Sequence, residues 1–196
     1  MQQRIHLLII DPQNDFCDLP SDWYGRDPLR QQSVAPALPV AGAHADMQRL
    51  AALMRQGQGG LSEITVTLDS HHRLDIAHPT FWVQGDGTAV TPFTSITAQQ
   101  VRAGQFRPRA AAALPRALAY LDALQTRGRY TLMVWPVHCE IGSWGHNVHA
   151  DVRAAYNAWE EAQQRVVQHV IKGTNPWTEH YSAMQAEVPD VADPDT

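Results

Sequence analysis

Four short segments of the chain concentrate β-branched and large apolar residues. They are "RIHLLII" before Asp11, "EITVTL" before Asp69, "YTLMVW" before Pro136 and "RVVQHVI" before Lys172. Each has the length and composition of a strand. The first and third are nearly continuous apolar runs, the pattern of strands covered on both faces. Between them the spacing changes to that of helices. "HADMQRLAALMRQ" sets Met47, Leu50, Leu53 and Met54 on one face and stops before Gly57, Gly59 and Gly60. "AALPRALAYLDALQTRG" aligns Leu114, Leu118, Leu121 and Leu124, and "NVHADVRAAYNAWEEAQQ" aligns Val148, Val152, Tyr156 and Trp159. Strand and helix in alternation predict an α/β fold with a mainly parallel sheet. Right-handed crossovers put helices on both of its faces, a three-layer α/β/α, Rossmann-like arrangement.

Two stretches lack this regularity. Residues 18–42, rich in Pro, Asp and Gly, read as a long loop leading into the first helix. Residues 79–109, with "VQGDGTAVTPF" and "RAGQFRP", read as an insertion after the second strand. No internal repeat or low-complexity tract interrupts the chain, and 196 residues suit a single domain, here 1–196, with a core of ordinary size. The net charge of -5 and the absence of a Lys/Arg run argue against nucleic acid as a partner. Cys17 and Cys139 make no disulfide framework, which fits a reducing, cytoplasmic setting. No apolar run is long enough for a signal peptide or a membrane span.

Where the reactive residues fall sharpens the picture. Asp11 follows the first strand, Asp69 and His71 the second, His138 the third and Lys172 the fourth. Ligands of open parallel sheets bind beyond the carboxyl ends of the strands, so these side chains are expected along one rim. "DSHHRLDIAH" offers Asp69, His71, His72 and His78, a carboxylate–imidazole set suited to zinc, with iron or manganese as alternatives. Asp69 and His71 alternate across one residue and point the same way in extended chain. His138 would complete a three-ligand set with open positions for water or substrate. The competing reading is a loop of surface histidines with Asp69 as a turn former. Asp11 suits a general base or a plain Asp-Pro turn. Lys172 suits anion or thiolate stabilisation, or a solvated strand end.

His138 and Cys139 are adjacent, and neighbours at a strand end face opposite sides. If His138 faces the rim, Cys139 is packed rather than activated. Cys17, beside Phe16, is expected to be a small buried hydrophobe. The chain thus has an Asp and a Lys of the kind that activate a thiol, without a convincing thiol.

Taken together, "IIDPQNDFC", "TLDSHH" with the later His78, "WPVHC" and "KGTNPW" resemble the isochorismatase-like cysteine hydrolases, and among them the nicotinamidase branch. The resemblance runs from the first strand to about residue 190. It implies Asp11 as general base and Lys172 as its companion. It implies Asp69, His71 and His138 as metal ligands, with His78 a further ligand, and Phe16 and Trp135 as aromatics that stack on a flat substrate. In that family a cysteine thiolate attacks the amide carbonyl of a small aromatic amide, ammonia leaves, and water releases the acid. Homo-oligomers are common there. The family's nucleophile follows a later strand than any in this chain. The resemblance therefore implies the amino-terminal two-thirds of such a fold, incomplete at the carboxyl side, with the nucleophile beyond residue 196 and an apolar strand edge exposed. Two further readings remain: a metal-water hydrolase using Asp11 as base, and an inactive relative that binds a small ligand or a partner protein.

Overall fold

A computed structural model describes residues 4–196. In chain order its elements are β1 (Ile5–Ile9), β2 (Gly25–Asp27), β3 (Gln32–Val34), α1 (Ala43–Gly57), β4 (Leu61–Asp69), β5 (Trp82–Gln84), β6 (Thr94–Ile96), α2 (Ala98–Arg102), β7 (Phe106–Pro108), α3 (Leu114–Arg127), β8 (Leu132–Val134), α4 (Ala150–Gln163) and β9 (Gln168–Lys172). Contacts divide the chain into two compact units. One comprises the chain up to Asp69 together with Ile141–Ile171, the other Ser70–Glu140 and Lys172–Thr196. No described helix is long and apolar enough to cross a membrane.

The first unit is built on a three-stranded sheet in the order β1-β4-β9, in which β1 and β4 run parallel. Leu7 pairs with Ile64 and Ile9 with Val66, so the alternating apolar residues of both strands share a face. α1 and α4 pack together over that face, and Ile9, Ile64, Val66 and Leu68 meet Ala51, Met54, Val152, Ala155 and Trp159 in one core. Trp159 is fully buried and satisfies its indole N–H on the Leu61 carbonyl. Truncating such a ring costs about 3–5 kcal/mol. The entry to α1 is fixed by Asp18, whose carboxylate accepts the N–H groups of Gly42 and His44.

The apolar pattern is only partly used for burial. Leu8 is 55% and Ile10 68% exposed, because β1 ends the sheet and its second face is open. The two-sided cover expected from the run around β1 is not what the first unit provides. In α1, Leu53 faces solvent and Ala51 takes its place in the core. Within 18–42 the chain forms a β2–β3 hairpin, whose turn is held by the Asp27 carboxylate accepting the N–H groups of Leu29 and Arg30.

In the second unit, β5 pairs with β7 and β6 with β8, both antiparallel. β8, the strand of "YTLMVW", therefore belongs to a small antiparallel pair and not to the parallel sheet that its composition suggested. Its residues Leu132 and Val134 join Ile76, Trp82, Ile96, Val101, Leu121 and Leu124 in a second core. The irregular stretch 79–109 is ordered around this core. α2 carries a capping box between Thr97 and Gln100. α3 buries Ala117, Tyr120, Leu121 and Leu124, whereas Leu114 is half-exposed, so the buried stripe is rotated from the all-leucine one.

Candidate metal centre

The second unit brings His71, His78 and His138 together. One nitrogen of each lies within 4.8 Å of the others, and all three side chains are buried. His71 follows β4, His78 lies in the loop after it, and His138 follows β8. The main chain joins these loops: the His71 N–H donates to the Cys139 carbonyl and the Trp135 N–H to the Ala77 carbonyl. The ring centroids are 4.9 to 5.4 Å apart. His72, the fourth imidazole of the motif, is exposed and outside this cluster.

Two of the rings have their tautomer fixed. His138 Nδ1 lies 2.8 Å from the Pro136 carbonyl, which can only accept, so Nδ1 carries the proton and Nε2 the lone pair. His71 Nδ1 lies 3.3 Å from Asp75 Oδ2, with the same consequence. Asp75 is buried, and its other oxygen accepts the Ala77 N–H at 2.8 Å. Ring–carbonyl and ring–carboxylate contacts of this kind accompany metal-ligating histidines. His78 is fully buried, and neither of its ring nitrogens has a hydrogen-bond partner among the described residues. Burial, together with the nearby His71 and His138, lowers its pKa to about 4 against the pull of Asp75. A buried neutral imidazole without a partner is costly unless something accepts its lone pair. The three rings fit a borderline cation such as zinc.

Asp75 was invisible to pattern reading. It sits four residues after His71 and its carboxylate closes a turn onto Ala77, which looks like ordinary loop chemistry. Gln13 is a second such residue. It is fully buried, and its side-chain amide pairs in both directions with the Asp69 main chain, accepting the Asp69 N–H at 2.8 Å and donating to its carbonyl at 2.7 Å. The end of β4 is thereby fixed, and the Asp69 side chain is buried there.

Asp11, in the first unit, has a left-handed backbone with φ of 47°. Its N–H reaches Thr67, and its carboxylate accepts the Thr67 hydroxyl at 2.6 Å. A left-handed residue before proline is uncommon, and such conformations gather at functional positions. Lys172, in the second unit, is buried at the end of β9. Its carbonyl accepts the Ser70 N–H, and its Nζ donates to the His180 carbonyl at 3.2 Å. Phe16 borders a shallow cleft of the first unit beside Ile10, Asp11 and Cys17. Trp135 meets Phe93 and Tyr181 edge-on in the second unit.

Neither cysteine has the surroundings of a nucleophile. Cys17 is buried, and burial, reinforced by the neighbouring Asp18 carboxylate, pushes its thiol up to about 11. Cys139 is fully buried in a left-handed turn, φ 45°, next to the cluster histidine.

No family model matches the sequence, and no curated protein matches it. Solved structures do match the fold. The yeast nicotinamidase Pnc1p bound to the inhibitor nicotinaldehyde superposes with a TM-score of 0.55 at 19% identity, over 94% of this chain and 63% of that one. A nicotinamidase–pyrazinamidase of Acinetobacter baumanii gives 0.51 at 18% identity, over 95% of this chain and 59% of that one. The chain has the mixed α/β fold of these enzymes and spans about three-fifths of their length.

Proposed function

We propose that the chain carries the metal and acid–base residues of an amidohydrolase that converts a small aromatic amide, nicotinamide being the nearest example, to its acid and ammonia. The observation that carries this reading is the buried trio His71, His78 and His138. Two of its rings are oriented by Asp75 and the Pro136 carbonyl, the third has no hydrogen-bond partner among the described residues, and the whole lies in a chain folded like the nicotinamidases. Asp69 is assigned as a further ligand. A divalent cation, zinc by the donor set, would supply Lewis acidity to a bound substrate or water.

Asp11 is the base of the reaction. The Thr67 hydroxyl donates to one of its carboxylate oxygens and orients the group. The proton it takes comes from a thiol as sulfur adds to the amide carbonyl, and passes to the nitrogen as the C–N bond breaks and ammonia leaves. Water then cleaves the thioester and restores the thiol. Lys172, its ammonium held by the His180 carbonyl, offsets the anionic charge. Phe16 and Trp135 are assigned to stack on the substrate ring. Cys17 and Cys139 are unsuited to the attack, so these 196 residues by themselves are expected to release little ammonia. A second reading draws on the same cysteines: water replaces the thiol with Asp11 as its base. Turnover that survives thiol alkylation but stops with a chelator would favour it. A cytoplasmic setting is proposed because two cysteines make no disulfide framework.

Cobalt substitution tests the proposal without relying on the nucleophile. Cobalt(II) bound to the chain should show a ligand-field spectrum that nicotinamide perturbs, and His78→Ala should abolish both. A chain that takes up no cobalt, or whose spectrum ignores nicotinamide, contradicts the proposal.

A further inference from the structure

The first unit contains a pocket of about 480 Å³ that uses none of the three histidines. Its walls include Trp23, Trp144 and Tyr156, and its polar lining includes Arg153, His146 and His169. No Asp or Glu lines it, although the chain as a whole is acidic. Asp151, in the adjoining turn of α4, is not among the lining residues.

The aromatic walls are held in place. Trp23 packs against His44 and His149, with ring centroids 4.9 and 5.0 Å away. Trp144 lies against the backbone of Gly25, so closely that a Cβ there would come within 2.6 Å of the indole. Its carbonyl accepts the Asn14 amide at 2.8 Å. Tyr156 is buried and meets His169 edge-on. Among the described residues, the Arg153 guanidinium forms no ion pair and the indole N–H groups of Trp23 and Trp144 form no hydrogen bond to protein. Rigid rings around a cavity offer stacking at little entropic cost. An uncommitted guanidinium and indole donors, with no acid among the lining residues, offer charge-assisted hydrogen bonds to a planar anion.

We propose that this pocket binds a small aromatic carboxylate. The ring lies among Trp23, Trp144 and Tyr156, and the carboxylate meets Arg153. The site is independent of the histidine cluster and does not depend on the proposed hydrolysis, although a reaction that makes an aromatic acid would supply such a ligand.

Calorimetric titration of the 196-residue protein with benzoate tests it, with benzamide as the neutral isostere and acetate as the anion without a ring. Benzoate should bind with Kd on the order of 0.1–1 mM, and benzamide and acetate at least about tenfold more weakly. Arg153→Gln, on an exposed helix position, should weaken benzoate about tenfold and leave benzamide unchanged. Gly25→Ala, which drives a methyl group into Trp144, should weaken both. His138→Ala should leave benzoate binding intact. Equal affinity for benzoate and benzamide, indifference to Arg153→Gln, or loss of benzoate in His138→Ala would each overturn the proposal. The last result would place the acid at the histidine cluster.

Discussion

Asp75→Asn is the sharpest perturbation of the candidate metal centre, because it changes hydrogen-bonding character with almost no change of shape. In the native chain Asp75 accepts twice, from His71 Nδ1 at 3.3 Å and from the Ala77 N–H at 2.8 Å. Asparagine has one accepting and one donating end. If its oxygen keeps Ala77, its NH2 faces His71 Nδ1, which must then give up its proton; the proton moves to Nε2, and the lone pair facing the other two histidines is lost. If the amide turns over, NH2 confronts the Ala77 N–H and a buried donor goes unpaired, at a cost of about 1–3 kcal/mol. Loss of such an orienting partner lowers metal affinity by about 10–100-fold, equivalent to ~1.4–2.7 kcal/mol. Zinc affinity read by competition with a chromophoric chelator, with circular dichroism to confirm folding, measures the effect. A folded Asp75→Asn protein that binds zinc as tightly as the native chain would refute the tautomer argument.

Other outcomes follow from the same geometry. Because the His78 pKa is depressed in the folded state, the unfolded chain binds the extra proton first. The metal-free protein should therefore lose stability as pH falls below about 6.5, by up to ~3 kcal/mol near pH 4. Urea titrations across this range check it, and His78→Asn should flatten the slope. Gly145→Ala would set a methyl group about 2.1 Å from the buried Asp15 carboxylate, which accepts the Ala37 N–H. It should cost about 1–3 kcal/mol, seen as a lower thermal midpoint. Iodoacetamide at neutral pH should leave Cys17 and Cys139 unmodified in the folded protein and label both in urea, since both are buried and the Cys17 thiol is raised to about 11. Fast labelling of either in the native protein would contradict the packing described.

Much of this organisation could be read along the chain. The strands at β1, β4 and β9 and the helices α1, α3 and α4 follow from period and composition, and Val152, Tyr156 and Trp159 are buried as their spacing requires. His71, His78 and His138 were singled out by residue type and by position after apolar strands, and the structure gathers them. What stayed hidden depends on tertiary partners. Nothing in "LMV" itself says that β8 pairs antiparallel with Thr94–Ile96 rather than joining the parallel sheet. Leu53, Leu114 and Val166 are exposed because helix rotation and strand start are set by neighbouring cores, not by hydropathy. Asp75 and Gln13 act through a ring nitrogen and a backbone amide, and only folded geometry reveals such partners.

The central claim is that His71, His78 and His138 bind one cation. Zinc K-edge absorption on the purified chain, coupled with dialysis stoichiometry, tests it most directly. The account predicts one zinc per chain with three imidazole nitrogens in its coordination shell and loss of binding in His78→Ala. A chain that binds no zinc, or binds it equally well after all three histidines are replaced, would contradict it.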